Sequence, residues 1–210
     1  MPKLKEFGLY FITDSRLTKK TVIDDVKSAV KGGVKLVQYR EKDLSTKQMV
    51  AQAKEIKKIC RKNNVLFIVN DRIDIALAAG ADGVHIGQDD MPYETARKLL
   101  GNKKIIGVTA HNLKESIYAE KKGADYIGLS PIFHTSTKAD AGKACGTGMI
   151  KDVIKRAKIP VVAIGGINEF NIDEVLKSGA KNAAIISAIV SKDDVEGAVM
   201  QFARKIATFK

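Results

Sequence analysis

The sequence predicts an α/β protein, a single (β/α)8 barrel (TIM barrel) spanning residues 1–210. Three observations predict it. A short apolar strand followed by an amphipathic helix recurs eight times. The strands are rich in valine and isoleucine and read as buried on both faces, which marks a parallel sheet. Glycines precede strands in Lys31-Gly-Gly-Val34, Ala79-Gly-Ala-Asp82, Lys122-Gly-Ala-Asp125 and Ser178-Gly-Ala-Lys181, where a helix ends most cheaply in a left-handed residue. Eight evenly spaced units suit a closed barrel; an open doubly wound sheet does not need them.

The first strand is Gly8 to Ile12, and its helix, Lys19 to Lys31, sets Val22, Val26, Ala29 and Val30 on one side. Val34 to Gln38 is the second strand. A long helix follows from Thr46 to Lys62, with Met49, Ala53, Ile56 and Cys60 at helical spacing and Ser45 or Thr46 as its N-cap. Val65 to Val69 and Gly83 to Ile86 are the third and fourth strands, separated by a short helix, Ile73 to Ala79. Pro92 suits the first turn of the next helix. Lys104 to Val108 is the fifth strand, and Asn112 caps the helix that runs to Lys122. Tyr126 to Leu129 is the sixth strand, with Met149 to Ala157 as its helix. Pro160 to Ile164 is the seventh, followed by a helix capped by Asn168 or Asn171 and ending at Ser178. Ala183 to Ile186 is the eighth, and Asp193 to Ala207 closes the chain.

Composition narrows the function. The chain is 45% hydrophobic and 29% charged, as soluble globular proteins are. No apolar run approaches the roughly 20 residues that cross a membrane, and the amino terminus lacks the order of a signal peptide. Cys60 and Cys145 give neither a zinc spacing nor a disulfide framework, which points to a reducing, cytoplasmic setting. The net charge is +12, but the lysines are spread along the chain and no aromatic residues interleave with them. That distribution favours solubility and attraction of anionic small molecules over nucleic acid.

In a closed barrel the chemistry sits at the carboxyl ends of the strands. Asp71 and Asp90 follow neighbouring strands and can share a divalent ion of the magnesium kind, which takes one or two carboxylates together with phosphate oxygens. Arg40, Lys42 and Lys138 can surround the same phosphate. Gly165-Gly166 and Ile186-Ser187 follow the seventh and eighth strands, a favoured barrel site for a terminal phosphate. The segment Ser130 to Gly148 cannot pack a core; it can fold over a polyanion with Thr135, Ser136, Thr137 and Lys138 as donors. Two anion sites, one with a metal, suggest a diphosphate leaving group and a phosphorylated co-substrate. Plainer readings stand beside these. Arg40 and Glu41 also suit a surface ion pair, Asp71 and Asp90 suit helix caps, and the glycine pair suits a tight turn. His85 is a packed strand residue or a site residue. His111 and His134 suit loop contacts or acid–base work. Asp89 suits a surface position, Cys145 lacks an organised base, and Cys60 sits on a buried helix face.

These residues bring out a resemblance. Gln38-Tyr-Arg-Glu-Lys42, Asn70-Asp-Arg72, GVHIGQDDMP from Gly83, GVTAH from Gly107, SPIFHTSTK from Ser130, AIGGI from Ala163 and Ile186-Ser-Ala188 occur in an order and spacing that cover nearly the whole chain. Together they resemble the thiamine-phosphate synthase (thiamine-phosphate pyrophosphorylase) family. That family joins 4-amino-5-hydroxymethyl-2-methylpyrimidine diphosphate to 4-methyl-5-(2-phosphooxyethyl)thiazole or its carboxylated form, releasing diphosphate and thiamine phosphate. The resemblance implies that Asp71 and Asp90 hold Mg2+. It gives Gln38, Tyr39, Arg40, Glu41, Lys42, Asn70, Thr109 and Lys138 to the pyrimidine diphosphate. It gives Thr135, Thr137, Gly166, Ile186 and Ser187 to the thiazole phosphate. Arg40, Lys42 and Lys138 would be the catalytic cations of a dissociative reaction, with the loop from Ser130 closing over both substrates. Family members are often homo-oligomers. The chain departs from the family's usual residues at Ser130, His134 and the CGTG run from Cys145. A related branch that tautomerises the thiazole phosphate, and a non-catalytic phosphate-binding barrel, are the second and third readings.

Overall fold

The computed structural model describes residue 4, residues 6–138 and residues 142–209; the Ser130–Gly148 loop therefore includes residues 139–141, which lie outside that description. Eight parallel strands form one closed barrel: β1 (Leu9–Ile12), β2 (Leu36–Tyr39), β3 (Leu66–Asn70), β4 (Gly83–Ile86), β5 (Ile105–Ala110), β6 (Tyr126–Leu129), β7 (Val161–Ile164) and β8 (Asn182–Ile185). Each pairs with the next, and β1 closes on β8 through Tyr10 opposite Ala184. Around them lie α1 (Val22–Lys31), α2 (Thr46–Lys62), α3 (Ile73–Ala79), α4 (Tyr93–Leu100), α5 (Leu113–Lys122), α6 (Gly146–Ile154), α7 (Ile172–Lys177), α8 (Ser187–Val190) and α9 (Val195–Thr208). Among the described residues, no helix is long and apolar enough to cross a membrane.

Strand alternation makes two cores. Tyr10, Ile12, Leu36, Ile68, Tyr126 and Val162 fill the barrel interior. Phe11, Val37, Phe67, Val84 and Ile106 face outward and pack in a second cluster with helix residues such as Val26, Ile56 and Val199. Each large apolar side chain fully buried there contributes about 1.5–3 kcal/mol.

The helix ends follow the local chemistry. Ser45 and Gln48 form a reciprocal capping box on α2, and Asn112 accepts from Glu115 N–H at the start of α5. Gly80 and Gly123 end α3 and α5 in the left-handed region, as the repeated glycines predict. Several boundaries differ from expectation. Thr21 caps α1, so that helix starts at Val22 rather than Lys19. Pro92 stands at the cap of α4, just before its first turn. Asn171 stands at the cap position of α7 but its side chain makes no capping bond: it accepts from Asn168 N–H, while that of Asn168 accepts from Phe170 N–H. The short α8, directly after β8, carries too few residues to show a helical period and was not expected.

Candidate active site

The carboxyl ends of the strands open into two hollows that adjoin at Thr135 and Thr137, residues lining both. The first is a narrow cavity of about 90 Å³ over the barrel axis. Gln38, Arg40, Lys42, Asn70, Asp71 and Thr109 line it from β2, β3 and β5, and Lys138 and Ile186 reach it from later loops. Larger grooves, of about 670 and 810 Å³, lie among residues at the amino-terminal ends of the strands, such as Leu9, Lys35, Val161 and Asn182. That end of a (β/α)8 barrel serves stability rather than chemistry.

Asp71 follows β3 with φ at +58°, a left-handed backbone unusual for any residue but glycine. Its N–H donates to His85 O at 2.8 Å, tying β3 to β4, and its Oδ2 accepts from Lys42 Nζ at 2.6 Å. Asp90 accepts from Gly87 N–H at 2.6 Å and sits beside Asp71. Burial first, and then the adjoining Asp71 carboxyl, raise Asp90 above its ordinary pKa. Among the described residues no three histidine, cysteine or acidic side chains converge as a metal centre. The two aspartates thus form an acidic pair and not a complete cage.

Arg40 is gripped by Asp14, a residue the sequence analysis passed over. Both side chains are nearly buried, at 11% and 4% exposure. The signal was present: Asp14 follows β1 as the other polar residues follow their strands. The Arg40 backbone N–H also donates to Thr13 Oγ1 at 2.9 Å, which fixes the β2 end against β1.

Two residues expected to contact substrate have side chains that lie away from the cavity. Tyr39 is 1% exposed and packs in the layer between sheet and helices. Alternation requires this, because its neighbour Gln38 points inward. Glu41 folds onto its own loop, where Oε1 accepts from the N–H groups of Lys42 at 2.8 Å and Asp43 at 2.7 Å. Neither residue lines the cavity.

Beneath the cavity runs an unbroken buried hydrogen-bond chain. Gln38 Nε2 donates to Tyr10 OH at 2.8 Å, and Tyr10 OH meets Tyr126 OH at 2.9 Å. Tyr126 OH meets His85 Nδ1 at 2.9 Å, and His85 Nε2 meets Thr109 Oγ1 at 2.9 Å. Burial, then the nearby Lys138 charge, pull the His85 pKa down to about 4, so the ring is neutral at pH 7. His111, which also lines the cavity, has Nδ1 2.6 Å from Ser130 O.

The second hollow, of about 450 Å³, is lined by Thr135, Ser136, Thr137, Gly166, Asn168 and Ser187, with Asp14, Arg16 and His134 on its rim. The base of the sixth loop continues the pairing of β6 with β7, because Ile132 N–H donates to Ile164 O at 2.8 Å and Phe133 N–H to Gly165 O at 3.0 Å. This approach requires the glycine pair. A Cβ on Gly165 would lie 2.7 Å from Pro131 Cβ, and one on Gly166 would lie 2.5 Å from His134 O. Both glycines also have positive φ, 99° and 66°. The far end of the loop returns to the same base: Cys145 N–H donates to Pro131 O and Gly146 N–H to Ile132 O. Burial raises the Cys145 thiol above its ordinary pKa and pushes Cys60 up to about 12, so neither is a ready thiolate.

The sequence profile of the family described as thiamine monophosphate synthase (TMP-TENI) matches residues 9–189. A thiamine-phosphate synthase from Methanosarcina barkeri is 56% identical over 193 residues, which are 92% of this chain and 87% of the relative. One from Clostridium novyi is 49% identical, over 91% of this chain and 95% of its own. A solved thiamine phosphate pyrophosphorylase from Pyrococcus furiosus superposes with a TM-score of 0.87 at 41% identity, covering 96% of this chain and 95% of that one.

Proposed function

The chain belongs to the thiamine monophosphate synthase family, and from that premise we propose that it is a transferase joining 4-amino-5-hydroxymethyl-2-methylpyrimidine diphosphate to 4-methyl-5-(2-phosphooxyethyl)thiazole. The products are thiamine phosphate and diphosphate. One observation carries this reading: an acidic and cationic cavity and a glycine- and hydroxyl-lined hollow adjoin at Thr135 and Thr137. Two anionic substrates bound there would meet at the shared wall.

The first hollow takes the pyrimidine diphosphate. Its ring would lie over Gln38 and Thr109, and its diphosphate would reach Arg40, Lys42 and Lys138 at the rim. These cations offset the charge that builds on diphosphate as the bond to the exocyclic methylene breaks, so they act most strongly in the transition state. The bonding electron pair leaves with diphosphate, and the electron-rich aminopyrimidine stabilises the methylene cation. The thiazole nitrogen then forms the new bond to that carbon. The thiazole nitrogen has a free in-plane lone pair and no proton, so no base is needed, and neutral His85 is not asked to act as one. Closure of the loop from Ser130 excludes the water that would capture the cation.

Asp71 and Asp90 fit a magnesium ion. They offer oxygen ligands only, and a divalent cation would offset both the burial of Asp90 and its nearness to the Asp71 carboxyl, which raise its pKa in that order. Bound there, magnesium would supply charge neutralisation to the diphosphate oxygens. In the second hollow, Ser187, the Gly166 backbone and the hydroxyls of Thr135, Ser136 and Thr137 suit the thiazole phosphate.

The test is to incubate the purified protein with both substrates and magnesium and to quantify thiamine phosphate and diphosphate. Equimolar formation of both is expected. No condensation at any magnesium concentration would overturn the reading.

A further inference from the structure

We propose that Tyr10, Tyr126 and His85 are positioning residues that fix the hydrogen-bond polarity of the pocket floor and so select an amino-bearing heteroaromatic ring over its oxo counterpart. The proposal rests on the reading above for the identity of the ring and deepens it.

The polarity follows from counting protons along the chain. Gln38 donates its Nε2–H to Tyr10 OH. The single Tyr10 proton is then left for Tyr126, and the Tyr126 proton for His85 Nδ1. A ring that accepts at Nδ1 carries its proton at Nε2, which donates to Thr109 Oγ1. With the Gln38 amide donating, every buried donor and acceptor in the chain is matched, and reversing one link alone would unmatch its neighbours. The two ends face the cavity with opposite characters. Gln38 presents Oε1, an acceptor, and Thr109 presents its hydroxyl proton, a donor.

A 4-aminopyrimidine is complementary to those ends. It has an amino donor on one edge and, across the ring, a nitrogen that accepts. A 4-oxo ring instead turns an acceptor toward Gln38 Oε1. The amide meets it only by turning Oε1 toward Tyr10, which reverses every link and commits the Thr109 hydroxyl proton to His85, away from the ring nitrogen. The discrimination therefore comes from residues that need not touch the ligand.

The fold makes room for these rings. A Cβ on Gly107 would lie 2.0 Å from Tyr126 Cζ, and one on Gly128 would lie 2.8 Å from His85 Cε1. Both glycines sit in strands, where glycine otherwise weakens packing. The rings also brace one another: His85 stacks on Tyr126 at 5.4 Å, and Tyr10 meets Tyr126 edge-on at 6.0 Å.

The experiment measures direct binding of the 4-amino pyrimidine diphosphate and its 4-oxo counterpart by calorimetry, in the wild type and in Tyr10→Phe and Tyr126→Phe. The wild type should prefer the amino compound, and each variant should lose about tenfold of that preference. A merely structural role would weaken both ligands alike and leave the ratio unchanged, which would overturn the proposal. So would a wild type with no preference. Nitrogen NMR of His85 in the wild-type protein needs no variant: protonation at Nε2 is expected, and protonation at Nδ1 would overturn the chain's direction. Because binding is read without turnover, a protein that fails to make thiamine phosphate yet keeps the amino preference would contradict the proposed reaction and leave the relay standing.

Discussion

The Lys42 ammonium lies 2.6 Å from the Asp71 carboxylate, bridging the ends of β2 and β3 across the mouth of the barrel. In this arrangement a proposed catalytic cation and a proposed metal ligand neutralise each other. Binding of magnesium and diphosphate would exchange that contact for two others: Asp71 to the metal, and Lys42 to a phosphate oxygen. The Asp71→Asn variant should lower turnover by about a hundredfold or more and raise the magnesium concentration needed for half-maximal rate. Magnesium titration at saturating substrate checks this, and an unchanged titration would remove Asp71 from the metal.

Asp14 holds Arg40 in a nearly buried ion pair. Removing one partner leaves the other charge without compensation, a loss of about 3–5 kcal/mol when such a pair is broken. Asp14→Ala should therefore lower the unfolding midpoint and also reduce kcat, because the guanidinium is no longer aimed. Denaturant titration and steady-state kinetics measure the two effects. Lost stability with kcat intact would make Asp14 structural only.

Gly166→Ala should weaken the second hollow. The position has φ of 66°, and the new methyl would meet the His134 carbonyl at 2.5 Å. Strain on the order of 1–3 kcal/mol is expected. The base of the loop must shift, so the KM for the thiazole phosphate should rise about tenfold while the affinity for the pyrimidine diphosphate changes little. Equal losses for both substrates would contradict a separate second hollow.

Much of this was legible in the chain. The valine-rich strands, the periodic helices and the glycines that became Gly80 and Gly123 carry the barrel, because each is a local consequence of backbone and burial. Gln38, Asn70, Asp71 and Thr109 were readable as strand-end residues that converge once the barrel closes. The direction of the Tyr39 side chain is hidden when the stretch from Gln38 to Lys42 is taken as one block, because strand alternation sends Tyr39 the opposite way from Gln38. Asp14 was missed because a lone aspartate after an apolar strand reads like any strand end until Arg40 is seen against it. The buried relay was not legible, since Tyr10, Tyr126 and His85 come from three strands and only the closed register brings their polar atoms together.

Acid should destabilise the protein through His85. Its folded pKa, about 4, lies below its ordinary value of 6.5 because burial disfavours the charged ring. A depressed pKa means that the unfolded chain binds the proton first, so stability is lost as pH falls from 6.5 toward about 4. The loss should be on the order of 3 kcal/mol. Denaturation followed across that window, in the wild type and in His85→Gln, should give a shallower slope for the variant. Parallel slopes would assign the acid sensitivity to other groups.

The most direct measurement is a crystal structure with magnesium, diphosphate and the thiazole phosphate bound together. The account predicts a metal between Asp71 and Asp90, with diphosphate oxygens on it and on Arg40, Lys42 and Lys138. It also predicts the second phosphate at Gly166 and Ser187, across the wall made by Thr135 and Thr137. Diphosphate bound away from the aspartate pair, or both anions in a single hollow, would contradict it.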